Sequence, residues 1–135
     1  MVEEFAGEWI NPISENMDEY LKECGIGFAL RQLAKTIKDK NIIVIEGDKC
    51  SFISKSTFKN HTISIILNEK TLITTIDGRK HYSIFIYDDG KLIEQQFPYN
   101  EGDKISTITR YIENGKLIVI MECNKVKAKR IYTRA

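Results

Sequence analysis

Residues 105–134 read ISTITRYIENGKLIVIMECNKVKAKRIYTR, three segments rich in Ile, Val, Thr and Tyr that are separated by two short polar turns. Asn114-Gly115 suits a hairpin turn because both residues adopt positive φ at low cost. Asn124 marks the second turn. Segments of this length and composition are typical of β-strands. This part of the chain is therefore predicted to be a run of antiparallel strands.

The same alternation of short apolar segments and turns extends back to about residue 41. Turn signals recur at Glu46-Gly47-Asp48, Lys59-Asn60, Asn68-Glu69, Asp77-Gly78, Asp88-Asp89-Gly90 and Asn100-Glu101-Gly102. Roughly nine strand-like segments follow residue 41, and Phe5–Asn11 resembles another. Many short antiparallel strands in one domain predict an all-β fold, either a sandwich or a closed barrel.

A helical pattern interrupts the strands between about residues 15 and 37. Spacing of i, i+3, i+4 and i+7, which is one face of a helix, is found at Met17, Tyr20, Leu21 and Cys24. Asn16 followed by Glu19 resembles a capping pair, and Gly25 suits a helix end. A second helical repeat is found at Leu30, Leu33, Ala34 and Ile37. Two short helices are therefore predicted after the first strand.

The composition fits one small globular domain of 135 residues, numbered 1–135. The 20 Lys and Arg residues against 19 Asp and Glu give a net charge of +1, so no charge excess indicates nucleic acid. No apolar run approaches the ~18 residues of a membrane-spanning helix, and we do not expect the acidic start Met1–Glu4 to act as a secretory signal. Cys24, Cys50 and Cys123 are a poor disulfide framework, so a reducing, cytoplasmic setting is expected.

The segment Val126–Arg134 carries polar residues on a face that is predicted to be internal. Side chains alternate between the two faces of a strand, and the two odd-numbered lysines mark that face as solvated. Arg130 and Tyr132 therefore point inward. The same alternation places Arg110 on the inner face of the segment Ile105–Ile112.

A buried arginine needs an anion, hydrogen-bond acceptors or trapped water, because burying a guanidinium is costly and it does not deprotonate. Neither inner face has a carboxylate within its own strand. One interpretation is a cavity whose polar end binds an anion, with Arg130 donating two parallel hydrogen bonds to a carboxylate and Tyr132 adding a third. The other is that Arg110 and Arg130 reach the barrel end or pair with Asp or Glu from elsewhere. Alternation alone leaves both open.

Six motifs occur in order along nearly the whole chain. They are Phe5–Trp9 with its Phe-x-Gly-x-Trp pattern, Ser14–Glu23, Gly25–Arg31, Ser56–Asn60 continued by Ile63-Ser64, Ser106–Arg110, and Arg130–Ala135 with its Arg-x-Tyr pattern. In this order they resemble the intracellular lipid-binding proteins, and specifically their fatty-acid-binding branch. Each motif alone is weak, and the number of them in register makes the resemblance specific.

The resemblance implies a ten-stranded up-and-down antiparallel β-barrel, capped by a two-helix lid at about residues 15–37, with one large cavity for a long-chain fatty acid. It implies that Arg130 and Tyr132 bind the ligand carboxylate, that Arg110 helps through water, and that Phe58 lies at the portal. Further cavity or portal residues implied by position are Met17, Tyr20, Leu21, Ile26, Ala34, Ser54, Ser56, Ile76, Asp77, Arg79, Ile108, Val119 and Met121. The expected protein is a monomeric cytoplasmic carrier without catalysis, cofactor or metal.

Departures from the family pattern leave the preferred chain length open. Met17 stands where relatives usually have an aromatic residue, and Phe97–Gly102 is a longer loop than usual. Retinol-binding relatives often have Gln at the two arginine positions, so Arg110 and Arg130 favour a carboxylate over an alcohol. A carrier of retinoic acid or another amphipathic acid, and a family member that has lost ligand binding, remain alternatives.

Other functional classes have weaker signals. His61 and His81 lie in separate strand-like segments without a catalytic motif, and the cysteines lack the spacing of a zinc site. Positive charge on or near the lid comes from Lys22, Arg31, Lys35, Lys38 and Lys40. This charge is either a contact for anionic membranes during ligand transfer or a solvated helix face. Some relatives enter the nucleus through a basic lid patch, which Gln32 after Arg31 weakens here.

Overall fold

This computed structural model describes residues 1–76 and 78–135, which contain ten β-strands and two α-helices. A short 3-10 helix at Val2–Phe5 comes first. The other elements are β1 (Gly7–Glu15), α1 (Met17–Glu23), α2 (Phe28–Thr36), β2 (Lys40–Glu46), β3 (Lys49–Lys55), β4 (His61–Ile66), β5 (Thr71–Thr74), β6 (Lys80–Asp88), β7 (Lys91–Pro98), β8 (Thr107–Glu113), β9 (Lys116–Cys123) and β10 (Val126–Arg134).

The strands form one antiparallel sheet that curves into a nearly closed barrel. Its order is β4-β3-β2-β1-β10-β9-β8-β7-β6-β5, so chain neighbours pair and β1 also pairs with β10. The edge strands β4 and β5 are not paired with each other, and His61 Nε2 lies 2.7 Å from the Thr74 carbonyl oxygen across this gap. The barrel and the number of strands are confirmed, and the sandwich is not the fold that the chain adopts.

Hairpin turns lie where the dipeptides predict them. Asn114 and Gly115 have φ of 52° and 73° between β8 and β9, and Asp89 and Gly90 have φ of 46° and 80° between β6 and β7. Two successive positive φ values match the twist of antiparallel strands, which explains the choice of Asn, Asp and Gly there.

The helical lid consists of α1 and α2, which connect β1 to β2. Asn16 precedes α1 with a φ of 58°, and its side chain makes no cap. Instead, its Nδ2 donates to the Lys127 carbonyl oxygen at 2.7 Å, so the predicted capping pair with Glu19 is wrong. Asn16 therefore attaches the start of the lid to β10. α2 has no fully buried residue, so little apolar packing holds it against the barrel.

Candidate functional site at the polar end of the barrel cavity

Arg130 and Tyr132 lie on the inner face of β10 in a hydrogen-bonded group that also contains Asp39, Ser14 and Ser54, here called the Arg130 cluster. Arg130 Nε donates to the Tyr132 hydroxyl at 3.0 Å, and Nη1 donates to Ser14 Oγ at 3.0 Å. Asp39 Oδ1 accepts from Arg130 Nη2 at 3.0 Å and from the Tyr132 hydroxyl at 2.7 Å. Ser54 Oγ donates to Asp39 Oδ2 at 2.8 Å. Both Asp39 oxygens are therefore engaged.

Asp39 supplies the acidic partner that β10 lacks. It lies between the end of α2 and the start of β2, and its side chain is only 11% exposed. Burial opposes the charge on Arg130, but Tyr132 and Asp39 outweigh burial and raise the pKa of Arg130. Burial raises the pKa of Tyr132, although the Arg130 charge lowers it, so the phenol keeps its proton at neutral pH. Pairing with an acid from elsewhere in the chain is thus what this structure shows for Arg130.

Arg110 on β8 has its own buried partner, Glu94 on β7. Its Nη1 and Nη2 lie 3.3 and 3.2 Å from Glu94 Oε1. The register pairs Arg110 with Leu92, so Glu94 is its diagonal neighbour on the same face. The other oxygen, Glu94 Oε2, accepts from Ser83 Oγ at 2.8 Å and from Gln96 Nε2 at 3.2 Å.

The carboxyl group of Glu94 remains ionised despite its burial. Burial raises its pKa, but the interaction with His81, the charge of Arg110 and the hydrogen bonds from Ser83 and Gln96 outweigh burial and lower the pKa to about 2. His81 Nε2 lies 3.6 Å from Glu94 Oε2. Arg110 also lies over the Phe52 and Phe85 rings, at 5.1 and 5.5 Å from their centroids. The guanidinium is therefore held by a carboxylate and two aromatic faces.

The two arginines meet in a cavity of about 160 Å³ inside the barrel. Arg110, Val119 and Arg130 form one row across β8, β9 and β10, because Val119 pairs with both arginines. The lining residues are Asn41, Ile43, Ile108, Arg110, Leu117, Val119, Met121, Arg130 and Tyr132. Asn41 Oδ1 is buried without a hydrogen-bond partner among the described residues. The cavity therefore has one polar end and apolar walls.

A second hollow of about 160 Å³, the portal hollow, lies under α2. It is lined by Leu21, Ile26, Leu30, Leu33, Ala34, Ile37, Phe58, Thr75, Ile76 and Arg79. Six residues that the resemblance assigns to the cavity or portal meet here: Leu21, Ile26, Ala34, Phe58, Ile76 and Arg79. Each hollow is smaller than the roughly 300–1,000 Å³ of typical ligand pockets, and among the described residues the two hollows share no lining residue.

Other residues assigned by the resemblance have different surroundings. Ser56 Oγ accepts from the backbone N–H groups of Phe58 and Lys59, so it caps the turn between β3 and β4 rather than lining either hollow. The Tyr20 hydroxyl is 2.6 Å from Ser106 Oγ, and burial raises the pKa of Tyr20. Ser54 binds Asp39 rather than facing a hollow.

Met17 and Asp77 complete the set of assigned residues. Met17 lines an outer cleft of about 440 Å³ between the two helices and β1, and Arg130 lines that cleft as well. The Arg130 cluster therefore separates this cleft from the inner cavity. Asp77 lies outside the described residues.

Asp39, Asn41 and Glu94 are polar residues of the site that the sequence does not single out. Asp39 and Asn41 lie at a strand start, where alternation is not yet established. Glu94 has no such signal, because its face of β7 carries Glu94 and Gln96 while the other face carries Ile93 and Phe97, so polarity alone would place Glu94 outside.

Comparisons with known proteins agree with this architecture. The model of the lipocalin/cytosolic fatty-acid binding protein family matches residues 6–135. Fatty acid-binding protein homolog 6 of Caenorhabditis elegans is 40% identical over 134 residues, covering 99% of both chains. The crystal structure of apo Caenorhabditis elegans lipid binding protein 8 superposes with a TM-score of 0.94 at 32% identity, covering 100% of this chain and 98% of the other.

A further solved structure contains a ligand. The Schistosoma mansoni fatty acid binding protein in complex with arachidonic acid is 26% identical, with a TM-score of 0.89 and coverage of 98% and 96%. The chain belongs to the lipocalin and cytosolic fatty-acid binding protein family. The family model and the relatives described here are named for fatty-acid or lipid binding, which agrees with the predicted carrier without catalysis.

Two observations concern other functional classes. In the described residues, no helix is both long and apolar enough to cross a membrane. Over ranges 1–76 and 78–135, no group of three or more His, Cys, Asp and Glu side chains is arranged to hold a metal ion.

Proposed function

We propose that this protein is a monomeric cytoplasmic carrier that binds one long-chain fatty acid non-covalently. The carboxylate binds at the Arg130 cluster, Arg110 supports it, and the acyl chain extends through the inner cavity toward the portal hollow. The observation that supports this most is the row of two inward arginines at the polar end of an apolar cavity. The names of the matched relatives, including one in complex with arachidonic acid, support the same ligand class.

The acyl chain supplies most of the affinity. About 15 methylenes at ~0.8 kcal/mol each give a gross gain of roughly 12 kcal/mol. Ordering the chain and losing rigid-body freedom consume a large part of it, so a dissociation constant between nanomolar and micromolar is expected. The carboxylate then selects the orientation and the head group more than it adds affinity.

Binding requires the two hollows to join, and α2 is the element that can move. Its partners are few: Arg31 donates to Asp18 Oδ1 at 3.2 Å and to the Ile26 carbonyl oxygen at 2.7 Å, both within the lid. Phe28 and Leu30 on α2 and Phe58 on the facing turn are exposed, so moving α2 breaks few buried contacts. We therefore place ligand passage between α2 and the Phe58 turn.

Delipidated protein is expected to bind one oleate per chain in native mass spectrometry. Retinoic acid should displace a fluorescent fatty acid at least about tenfold less well than oleate, because a flexible chain fits two narrow hollows better than a rigid ring does. Equal displacement by retinoic acid would favour the retinoid alternative. Binding of neither ligand would identify a family member that has lost ligand binding.

The positive charge of the lid gives a second prediction. Arg31 is engaged within the lid, so Lys22 and Lys38, which are exposed, are the better test of membrane contact. The double variant Lys22→Glu/Lys38→Glu is expected to slow fatty-acid transfer to anionic vesicles about tenfold, since each basic residue near such a surface contributes ~1 kcal/mol. Fluorescence transfer assays measure this rate.

A matched control places the same charge change far from the lid. Lys91 and Lys116 are exposed and are the first residues of β7 and β9. These strand ends lie at the end of the barrel that is far from the helices. Lys91→Glu/Lys116→Glu should leave the transfer rate within about twofold of wild type. If both double variants behave alike, the charge on the lid is a solvated face.

A further inference from the structure

An internal carboxylate occupies the place that the proposed function gives to the ligand. Asp39 Oδ1 already accepts hydrogen bonds from both Arg130 and Tyr132, at 3.0 and 2.7 Å. The other two nitrogen atoms of the Arg130 guanidinium are engaged as well, since Nε donates to Tyr132 and Nη1 donates to Ser14. A ligand carboxylate therefore cannot take a two-pronged bond from Arg130 while Asp39 stays in place.

Two carboxylates cannot share this site at low cost. The Arg130 and Asp39 side chains are 17% and 11% exposed, so water screens them poorly. Like charges in one buried site strongly disfavour the doubly ionised state. The second cation of the cavity relieves this only in part, because Arg110 is already paired with Glu94.

We propose that Asp39 determines head-group specificity as an internal competitor of the ligand carboxylate. This inference rests on the proposed function. A fatty acid must displace Asp39 from Arg130 and Tyr132 before its own carboxylate binds. Its observed affinity therefore equals its intrinsic affinity multiplied by the fraction of molecules in which Asp39 is displaced. A fatty alcohol leaves Asp39 in place, and its hydroxyl can donate to Asn41 Oδ1, the unpartnered acceptor that lines the same cavity.

Displacement of Asp39 also reaches the lid. Only Ile37, Lys38 and Asp39 separate α2 from β2, and Arg130 Nη2 lies 3.4 Å from the Ile37 carbonyl oxygen. The Ile37 side chain lines the portal hollow. Head-group exchange at Arg130 therefore releases the end of α2 beside the portal, which couples the two ends of the ligand site.

The test compares oleate with oleyl alcohol in the wild-type protein and in Asp39→Asn. The substitution removes the competing charge and keeps a side chain of the same shape. Oleate is expected to bind roughly tenfold or more tightly to Asp39→Asn, and oleyl alcohol to change by less than about threefold. Asp39→Ala should also raise the ratio of oleate affinity to oleyl alcohol affinity. It serves as the second variant if Asp39→Asn does not fold.

A nearby carboxylate provides the matched control. Glu8 Oε2 lies 3.4 Å from Nζ of Lys40, the residue that follows Asp39 in the chain. The Glu8 side chain is 48% exposed. Glu8→Gln removes one negative charge without touching the Arg130 cluster, and both ligands should bind as they do to wild type. A similar gain in Glu8→Gln would assign the effect to overall charge and overturn the inference.

The outcomes separate this inference from the proposed function. If wild type binds oleate, Arg130→Ala weakens it, and both Asp39 variants leave the ratio of acid to alcohol affinity unchanged or lower it, the inference alone fails. If oleate binds to neither the wild-type protein nor the Asp39 variants, the proposed function fails and the inference fails with it. Oleate binding that appears only in the Asp39 variants supports the inference.

Discussion

Arg130→Ala is expected to weaken oleate binding about 100-fold and oleyl alcohol binding less than about threefold. Truncating one partner of a buried charged pair costs roughly 2–5 kcal/mol, and every 1.4 kcal/mol is a factor of about ten in affinity. The loss is large here because Asp39 stays behind, so the ligand carboxylate would face another carboxylate with only the Tyr132 hydroxyl between them. Displacement of a fluorescent fatty acid and of its alcohol analogue measures both affinities.

Lys129→Ala is the matched control for the loss of a cation from β10. Lys129 neighbours Arg130 in the chain and lies on the opposite face of the strand. Its removal should leave both affinities within about twofold of wild type, because screened surface charges contribute little. Equal losses of acid and alcohol in Arg130→Ala would remove the carboxylate role from Arg130.

Glu94→Ala is expected to lower the free energy of unfolding by about 3–5 kcal/mol, since removing one partner of a buried ion pair leaves the other uncompensated. Arg110 would lose its carboxylate, and Ser83 and Gln96 would lose an acceptor. Urea unfolding at neutral pH measures the change. Glu94→Gln, which keeps acceptor atoms without the charge, should cost less than the alanine variant.

Low pH tests the same ion pair without a substitution. The pKa of Glu94 is lower in the folded protein, at about 2, than its ordinary value of 4.5. Its ionised form therefore stabilises the fold above about pH 4.5, and that contribution is lost as the pH falls toward 2. The wild-type protein should lose stability over this range more steeply than Glu94→Gln.

An exposed glutamate shows what a surface charge contributes. Glu101 lies in the loop between β7 and β8, and Glu101→Ala should change the free energy of unfolding by less than about 0.5 kcal/mol. A Glu94→Ala protein as stable as Glu101→Ala would mean that the buried pair does not stabilise the fold.

The strands and their hairpin pairings could be predicted because the signals for them are local, whereas the closed ten-stranded barrel came from the family resemblance. Asn114-Gly115 and Asp89-Gly90 each determine a turn within two residues, and a turn determines which strands pair. Alternation along β10 then placed Arg130 and Tyr132 on the inner face, because that strand has lysines on one side only. These features depend on neighbours in the sequence, so one chain is enough to find them.

The partners of the arginines could not be predicted in the same way. Asp39 lies 91 residues from Arg130, in a linker without periodicity, so no pattern connects the two. Glu94 meets Arg110 only because the register sets Leu92 opposite Arg110, and that register depends on a long loop between β7 and β8. Predicting a side chain's face needs one strand, whereas predicting its partner needs the register of two.

The unpaired seam between β4 and β5 gives the barrel an elastic circumference. A barrel whose strands are all paired can widen only by breaking the backbone hydrogen bonds between two strands. This barrel has one pair of neighbouring strands, β4 and β5, without such bonds. Separating β4 from β5 breaks contacts such as the one between His61 Nε2 and the Thr74 carbonyl oxygen. It leaves intact the nine backbone ladders that join the ten strands. Any widening of the wall is therefore expected at the edge between β4 and β5.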